Sequence, residues 1–177
     1  MTFKTTLSVL ALVAATPALA QDDCSSVTFA DVGWTDITAT TAATSVVLDA
    51  LGYDTETKLL SVPVTYISLA EGDVDVFLGN WMPTMEGDIA PYREAGTVDS
   101  VRANLEGAKY TLAVNKAAAD MGIKTFADIA ANREALDEEI YGIEPGNDGN
   151  RLILDMIEAN AFELEGFKVV ESSEQGM

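Results

Sequence analysis

Two hydrophobic patterns alternate along the chain. Short apolar runs, such as residues 27–32 and 74–78, are typical of buried β-strands. Between them lie segments such as 36–51, whose apolar residues recur at three- and four-residue spacings and predict helices. This alternation predicts an α/β fold with mainly parallel sheets flanked by helices. The predicted strands are 27–32, 57–62, 74–78, 109–114, 140–143 and 167–170, and the predicted helices are 36–51, 63–70, 125–136 and 150–161.

The first 20 residues have the layout of a secretory signal peptide. Lys4 precedes an apolar stretch at residues 7–15, and Ala18-Leu19-Ala20 gives a small-residue cleavage site after Ala20. The apolar stretch is too short to span a bilayer comfortably. We therefore expect an exported protein.

A break near residues 108–110 divides the predicted elements into two lobes. Residues 21–109 form the first lobe and residues 110–177 the second. The final residues, VVESSEQGM, directly follow a predicted strand, so we expect the second lobe to be incomplete here. Cys24, the sole cysteine, agrees with this expectation, because an odd cysteine in an exported chain indicates a missing partner or a free thiol.

Composition excludes several classes of function. The chain has 29 acidic and 10 basic residues, a net charge of −19, so nucleic acids and anionic lipids are poor partners. Solubility explains much of this charge, and attraction of small cations is the functional alternative. Histidine is absent, which removes Ser-His and Cys-His nucleophile pairs and the common histidine metal sites.

Three aromatic residues are candidates for a cation-binding site. Trp34 in DVGWTDITATT and Trp81 in DVFLGNWMPTME each follow a strand and a glycine, and Tyr110 begins the crossover between the lobes. Ligands of open α/β sheets bind at the carboxyl ends of the strands, and aromatic faces attract cations. Core packing is the alternative explanation for each ring taken alone.

Two polar residues accompany these rings. Asp36 is either a helix-start residue or a carboxylate near a bound cation, and it can be both. The loop EPGNDGNR lacks the Gly-Lys-Ser/Thr ending of a phosphate loop and the register of a calcium loop. We predict a tight turn that points Asn147 into the cleft, with a helix from about Asn150. The amide of Asn147 has a donor and an acceptor, which suits a ligand hydroxyl.

The motifs DVGWTDITATT, FLGNWMPTM and YGIEPGNDGNRL closely resemble the periplasmic choline-binding proteins of bacterial ABC importers, within the glycine betaine/choline group of substrate-binding proteins. The resemblance covers about residues 24–177. It implies a type II periplasmic binding protein of two lobes, which captures choline and delivers it to an inner-membrane permease without chemistry. It also implies a monomer with no cofactor and no metal. The box residues would be Trp34, Trp81 and Tyr110, with Asp36 near the cation and Asn147 near the hydroxyl. The family's chain normally continues and supplies a further aromatic.

Other ligands and activities stay open at this point. Glycine betaine carries its own carboxylate, for which a site usually adds donors, whereas these motifs offer an acid and an amide. That favours choline. An exported hydrolase of a choline ester or phosphocholine would have to rely on carboxylates such as Asp36, Glu144 or Asp148. A sensor that presents choline to a receptor would share the same pocket.

Overall fold

The computed structural model describes residues 24–177, and the predicted signal peptide lies outside them. In the described part the chain forms two separate parallel sheets with helices packed around them. This confirms the predicted α/β class. The boundary between lobes at residues 109 and 110 stays a prediction.

The first sheet has the strand order β2-β1-β3. Its strands are β1 (Ser26–Asp31), β2 (Asp54–Leu59) and β3 (Val76–Phe77), all parallel. Phe29 on the central strand pairs with Thr57 on one side and Val76 on the other, and it is almost fully buried. The helices that accompany this sheet are α1 (Thr35–Ala50), α2 (Val62–Glu71) and α3 (Glu86–Glu94).

The second sheet pairs β4 (Glu139–Tyr141) with β5 (Lys168–Val170). Its helices are α4 (Lys116–Asp120), α5 (Ala127–Ala131) and α6 (Asp148–Glu158), followed by a 3-10 turn at Ala161–Glu163. Each sheet has its own hydrophobic core. The first core contains Val32, Trp34, Ile37, Val62, Tyr66, Met85 and Ile89, and the second contains Ala118, Ile123, Ile129, Ile140, Leu164 and Phe167.

One predicted strand is wrong. Residues 109–114 form no strand, and all of them except the half-buried Leu112 are exposed. A strand needs a hydrogen-bonded neighbour, and none of the strands in residues 24–177 lies beside this segment.

Several boundaries also differ from the predictions. The second strand covers Asp54–Leu59 rather than 57–62, because its backbone pairs with β1 from Asp54 opposite Ser26. Val62, whose apolar side chain suggested the later end, is instead the first residue of α2 and is fully buried. The third strand, predicted at 74–78, covers only Val76–Phe77. The helix predicted at 125–136 covers only Ala127–Ala131.

A candidate ligand pocket between the two sheets

The five residues predicted as ligand contacts line one small pocket. Its volume is about 180 Å³, below the ~300 Å³ at which sites for drug-sized ligands begin. Residues from both sheets' loops contribute, so the pocket lies where the two halves of the described chain meet. Its lining comprises Trp34, Asp36, Trp81, Tyr110, Ile143, Asn147, Asp148, Glu174 and Met177.

Trp34 is held by the turn that leads from β1 into α1. The buried Asp31 carboxylate accepts the Gly33 N–H at 2.8 Å and the Thr38 hydroxyl at 2.7 Å. Gly33 has a φ of +82°, which a glycine adopts at little cost. Trp34 itself is the N-cap residue of α1 and is only 7% exposed. The indole belongs to the first core and also borders the pocket, so the packing interpretation holds and the ligand interpretation stays a prediction.

Trp81 is placed by a compact turn after β3. A Cβ at Gly79 would lie 2.7 Å from the Phe77 ring, so the turn needs glycine there. The next residue, Asn80, accepts the Tyr66 hydroxyl at 2.8 Å, and the Trp81 N–H points to Met85 Sδ at 3.1 Å. The Trp81 side chain is half-buried and therefore accessible from the pocket.

Tyr110 stacks against Trp81 and extends the aromatic wall. Their ring centroids lie 6.1 Å apart and their planes differ by 24°. The Tyr110 hydroxyl donates to Asn147 Oδ1 at 3.4 Å. Burial, then the carboxylates of Asp148 and Glu144, raise the pKa of Tyr110 to about 12, although Arg151 opposes them. The phenol therefore keeps its proton and its donor role at physiological pH.

Asn147 both caps a helix and lines the pocket. Helix α6 begins at Asp148, two residues before the predicted start, because the Asn147 Oδ1 accepts the Gly149 N–H at 2.7 Å. The Asn147 Nδ2 donates to Glu144 Oε1 at 2.9 Å. These bonds fix the orientation of the amide.

Two carboxylates of the pocket differ sharply in environment. Asp36 is exposed on the first turn of α1, where it borders the pocket opening. Asp148 is only 1% exposed, and no group in residues 24–177 donates a hydrogen bond to its Oδ2. Burial is the largest cause that raises the pKa of Tyr66 and of Tyr110, and the nearby Asp148 carboxylate adds to it in both cases.

Sequence reasoning did not select Asp148, Glu174, Ile143 or Met177 as pocket residues. An acidic residue in the first turn of a helix is ordinary, because the helix dipole favours it, so the sequence around Asp148 carries no special signal. Glu174 reaches the pocket from the far end of the sequence. It accepts a hydrogen bond from the Thr35 hydroxyl at 3.0 Å, and only the folded chain brings these residues together.

The described part of the chain lacks two features, a cluster of metal ligands and a membrane-spanning helix. Residues 24–177 contain no group of three or more histidine, cysteine, aspartate or glutamate side chains arranged to hold a metal ion. Within the same residues, no helix combines the length and apolarity needed to cross a bilayer. Cys24 is exposed as a free thiol.

The fold and the pocket define a type II binding protein of the α/β class. Residues 25–177 match the family described as the substrate-binding domain of ABC-type glycine betaine transport systems, and the chain belongs to this family. An uncharacterized protein of Chromohalobacter salexigens is 51% identical over 150 residues, which cover 84% of this chain and 97% of that protein.

Solved structures agree with this assignment. An ABC-transporter choline-binding protein in complex with choline is 68% identical, with a TM-score of 0.82 over 87% of this chain. The match covers 53% of that protein, so the present chain spans about half its length. A lactococcal protein of the family, complexed with glycine betaine, has a TM-score of 0.67 at 23% identity, covering 85% of this chain and 56% of its own, and shows the shared fold.

We predict that Gly149 is required for the position of Tyr110. A Cβ at Gly149 would lie 2.3 Å from the Tyr110 hydroxyl oxygen and 3.0 Å from Asn147 Oδ1. Gly149→Ala should therefore lower the free energy of unfolding by about 1–3 kcal/mol, because a rigid ring has to move.

Gly87→Ala is the matched control, since Gly87 is also the second residue of its helix and a Cβ added there would have nothing within 4 Å. It should stabilise the protein by about 0.4–1 kcal/mol. Denaturant unfolding of both variants checks this, and equal stabilisation by both would contradict the assigned role of Gly149.

Proposed function

We propose that this protein is the substrate-binding component of an ABC importer, which captures choline in the periplasm and delivers it to an inner-membrane permease. One observation carries the proposal. Two tryptophans and a tyrosine from separate parts of the sequence surround a single small pocket that also contains three carboxylates and an oriented amide. The structure of the 68% identical choline complex supports the same ligand.

The chemistry of the walls suits a quaternary ammonium group. Such a group has no N–H to donate, so it gains little from a conventional polar pocket. Each aromatic face contributes ~0.5–2 kcal/mol to binding a cation, with the upper values in water-excluded sites. Trp34, Trp81 and Tyr110 together can thus supply a few kcal/mol, against the ~8 kcal/mol that micromolar affinity requires.

The polar residues supply the remaining recognition. The carboxylates of Asp36 and Asp148 attract the cation, and the buried one acts in a region of low dielectric constant, where charges interact more strongly. The amide nitrogen of Asn147 has two hydrogens, and Glu144 takes one of them. The second is left for the hydroxyl oxygen of choline.

Negative charge in the pocket favours choline over glycine betaine. The carboxylate of a betaine would approach Asp36, Asp148 and Glu174, all of which border the same space of about 180 Å³. Like charges at such short range are repulsive. Choline has a neutral hydroxyl at the corresponding end and meets no such repulsion.

Binding without chemistry is favoured over hydrolysis of a choline ester. The chain has no histidine, and Glu144, a candidate carboxylate base, already accepts two hydrogen bonds at its Oε1. The family's role in transport points the same way. Export through the predicted signal peptide and a monomeric state complete the proposal.

Calorimetric titration of the full-length protein tests the ligand directly. We expect choline to bind with micromolar affinity and glycine betaine at least about tenfold more weakly, because of the charge repulsion described above. The reverse preference would keep the aromatic pocket but assign the protein to betaine transport. Absence of binding to either ligand would overturn the proposal.

Trp81→Ala should weaken choline binding by more than about tenfold, since it removes a cation–π face and half of the stacked aromatic wall. The same titration measures the effect. Tyr53→Ala is the control, because Tyr53 is an exposed aromatic residue that does not line this pocket. Unchanged affinity in a folded Trp81→Ala variant would show that Trp81 is only structural.

Asp148→Asn should weaken choline binding by about tenfold, because it removes a buried charge next to the cation. It should not lower the melting temperature of the ligand-free protein, since the buried Asp148 Oδ2 has no hydrogen-bond donor in the described residues, which is costly. Asp155→Asn, an exposed position on the same helix, is the control. Unchanged affinity together with a lower melting temperature would identify Asp148 as a helix-stabilising residue instead.

A further inference from the structure

Glu144 links the two halves of the pocket through a single oxygen atom. Its Oε1 accepts the indole N–H of Trp34 at 3.0 Å and the amide N–H of Asn147 at 2.9 Å. Trp34 and Glu144 are 110 residues apart in sequence, and they belong to the loops of different sheets. The carboxylate therefore joins the turn after β1 to the loop between β4 and α6.

Other contacts extend this link around the pocket. Asn147 Oδ1 accepts the Tyr110 hydroxyl, and Tyr110 stacks on Trp81. Four of the five sequence-predicted ligand residues are thus connected in one chain of contacts that passes through Glu144. Trp34 and Asn147 line the pocket, whereas Glu144 does not line it and acts on it only through these two side chains.

The loop that carries Glu144 is itself held firmly. The buried Asn150 side chain accepts the Ile143 N–H at 2.9 Å and donates to the carbonyl oxygens of Ile143 and Glu144 at 3.1 and 3.2 Å. A Cβ at Gly142 would lie 2.4 Å from Asn150 Oδ1, so glycine permits this close approach. The loop therefore holds Glu144 rigidly, so little conformational entropy is lost when its Oε1 accepts the two hydrogen bonds.

We propose that Glu144 is a positioning residue that couples the approach of the two sheets to the orientation of the ligand-binding side chains. The shared acceptor oxygen fixes the positions of the Trp34 indole and the Asn147 amide relative to each other. Because one of those groups comes from each side, the link also favours the closed arrangement over an open one. This inference rests on the proposed function, since it assigns a role within the same pocket.

Two substitutions separate the geometry of Glu144 from its charge. Glu144→Gln keeps the length of the side chain and an acceptor oxygen but removes the charge. Glu144→Asp keeps the charge but shortens the side chain by one methylene, so that one oxygen no longer reaches both donors. If Glu144 acts by position, Glu144→Asp should weaken choline binding about tenfold and Glu144→Gln less than about threefold. Glu158→Asp, at the exposed end of α6, is the control.

The opposite order of effects would overturn the inference. Loss of affinity in Glu144→Gln with retention in Glu144→Asp would mean that the charge acts on the cation itself. Wild-type affinity in both variants would mean that the link is not used. Should Glu144→Asp fail to fold, Trp34→Phe provides a second test, because it removes the donor N–H and keeps a ring. Combined with Glu144→Ala, which removes the acceptor, it should show non-additive losses, since each change alone already breaks the same hydrogen bond.

Tryptophan fluorescence without ligand tests the role of Glu144 separately from choline binding. The sequence contains two tryptophans, so a Trp81→Phe background leaves Trp34 as the sole indole fluorophore. In that background, Glu144→Asp should shift the emission maximum and increase quenching by acrylamide, whereas Glu144→Gln should match the parent. If the wild-type protein does not bind choline, the proposed function is wrong, but the fluorescence comparison still tests the role of Glu144. Identical quenching in all three proteins would refute the role of Glu144 even if choline binds.

Discussion

A buried indole N–H needs an acceptor, and the acceptor that Trp34 uses belongs to the other sheet. This one hydrogen bond, at 3.0 Å to Glu144, determines much of the pocket's architecture. Without it, Trp34 would still pack in the first core, but its polar edge would be left unpaired at a cost of about 1–3 kcal/mol. Because the acceptor lies across the cleft, Trp34 can make this hydrogen bond only when the two sheets lie together. Packing and closure are therefore linked at a single side chain.

The proposed recognition of a cation adds a second constraint. A polar pocket would suit an ordinary ammonium, but a quaternary one presents only methyl groups, so aromatic faces have to carry much of the attraction. Rings pack well at the ends of buried strands, because the sheet supplies a firm base and the following loop can turn the side chain outwards. Trp34 and Trp81 both use this position, and in each case a glycine allows the turn. The excess of acidic residues then adds a general attraction for cations around the pocket.

The sequence predicted the aromatic residues better than the acidic ones, and the reason is physical. A tryptophan after a strand and a glycine is the pattern that selected both indoles, and both line the pocket, whereas their contact with a ligand stays a prediction. An aspartate at a helix start or a glutamate in a loop is common, so the sequence named Asp148 and Glu144 only as carboxylates that a hydrolase could use, not as parts of the cation site. What distinguishes them is burial and long-range pairing, which arise only in the folded chain. The wrong prediction of a strand at 109–114 also reflects long-range contacts, because a strand needs a neighbouring strand that the local sequence does not show. Helix α3 was missed because Pro91 lies inside it.

The carboxylates of Glu144 and Asp148 show how stability and binding are divided in this pocket. The Oε1 of Glu144 accepts two hydrogen bonds without any ligand, so this residue can hold the pocket walls in place. Asp148 is buried with one oxygen lacking a donor in the described residues, so the ligand-free state bears a desolvation cost there. Under the proposed function, a bound cation would offset that cost by electrostatic attraction, without donating a hydrogen bond. Part of the protein's stability then returns only with the ligand: a one-hundredfold excess of ligand over its Kd stabilises the folded state by about 2.7 kcal/mol. The bonds at Glu144 Oε1 thus fix the pocket walls, whereas the unbonded Asp148 Oδ2 favours a bound cation.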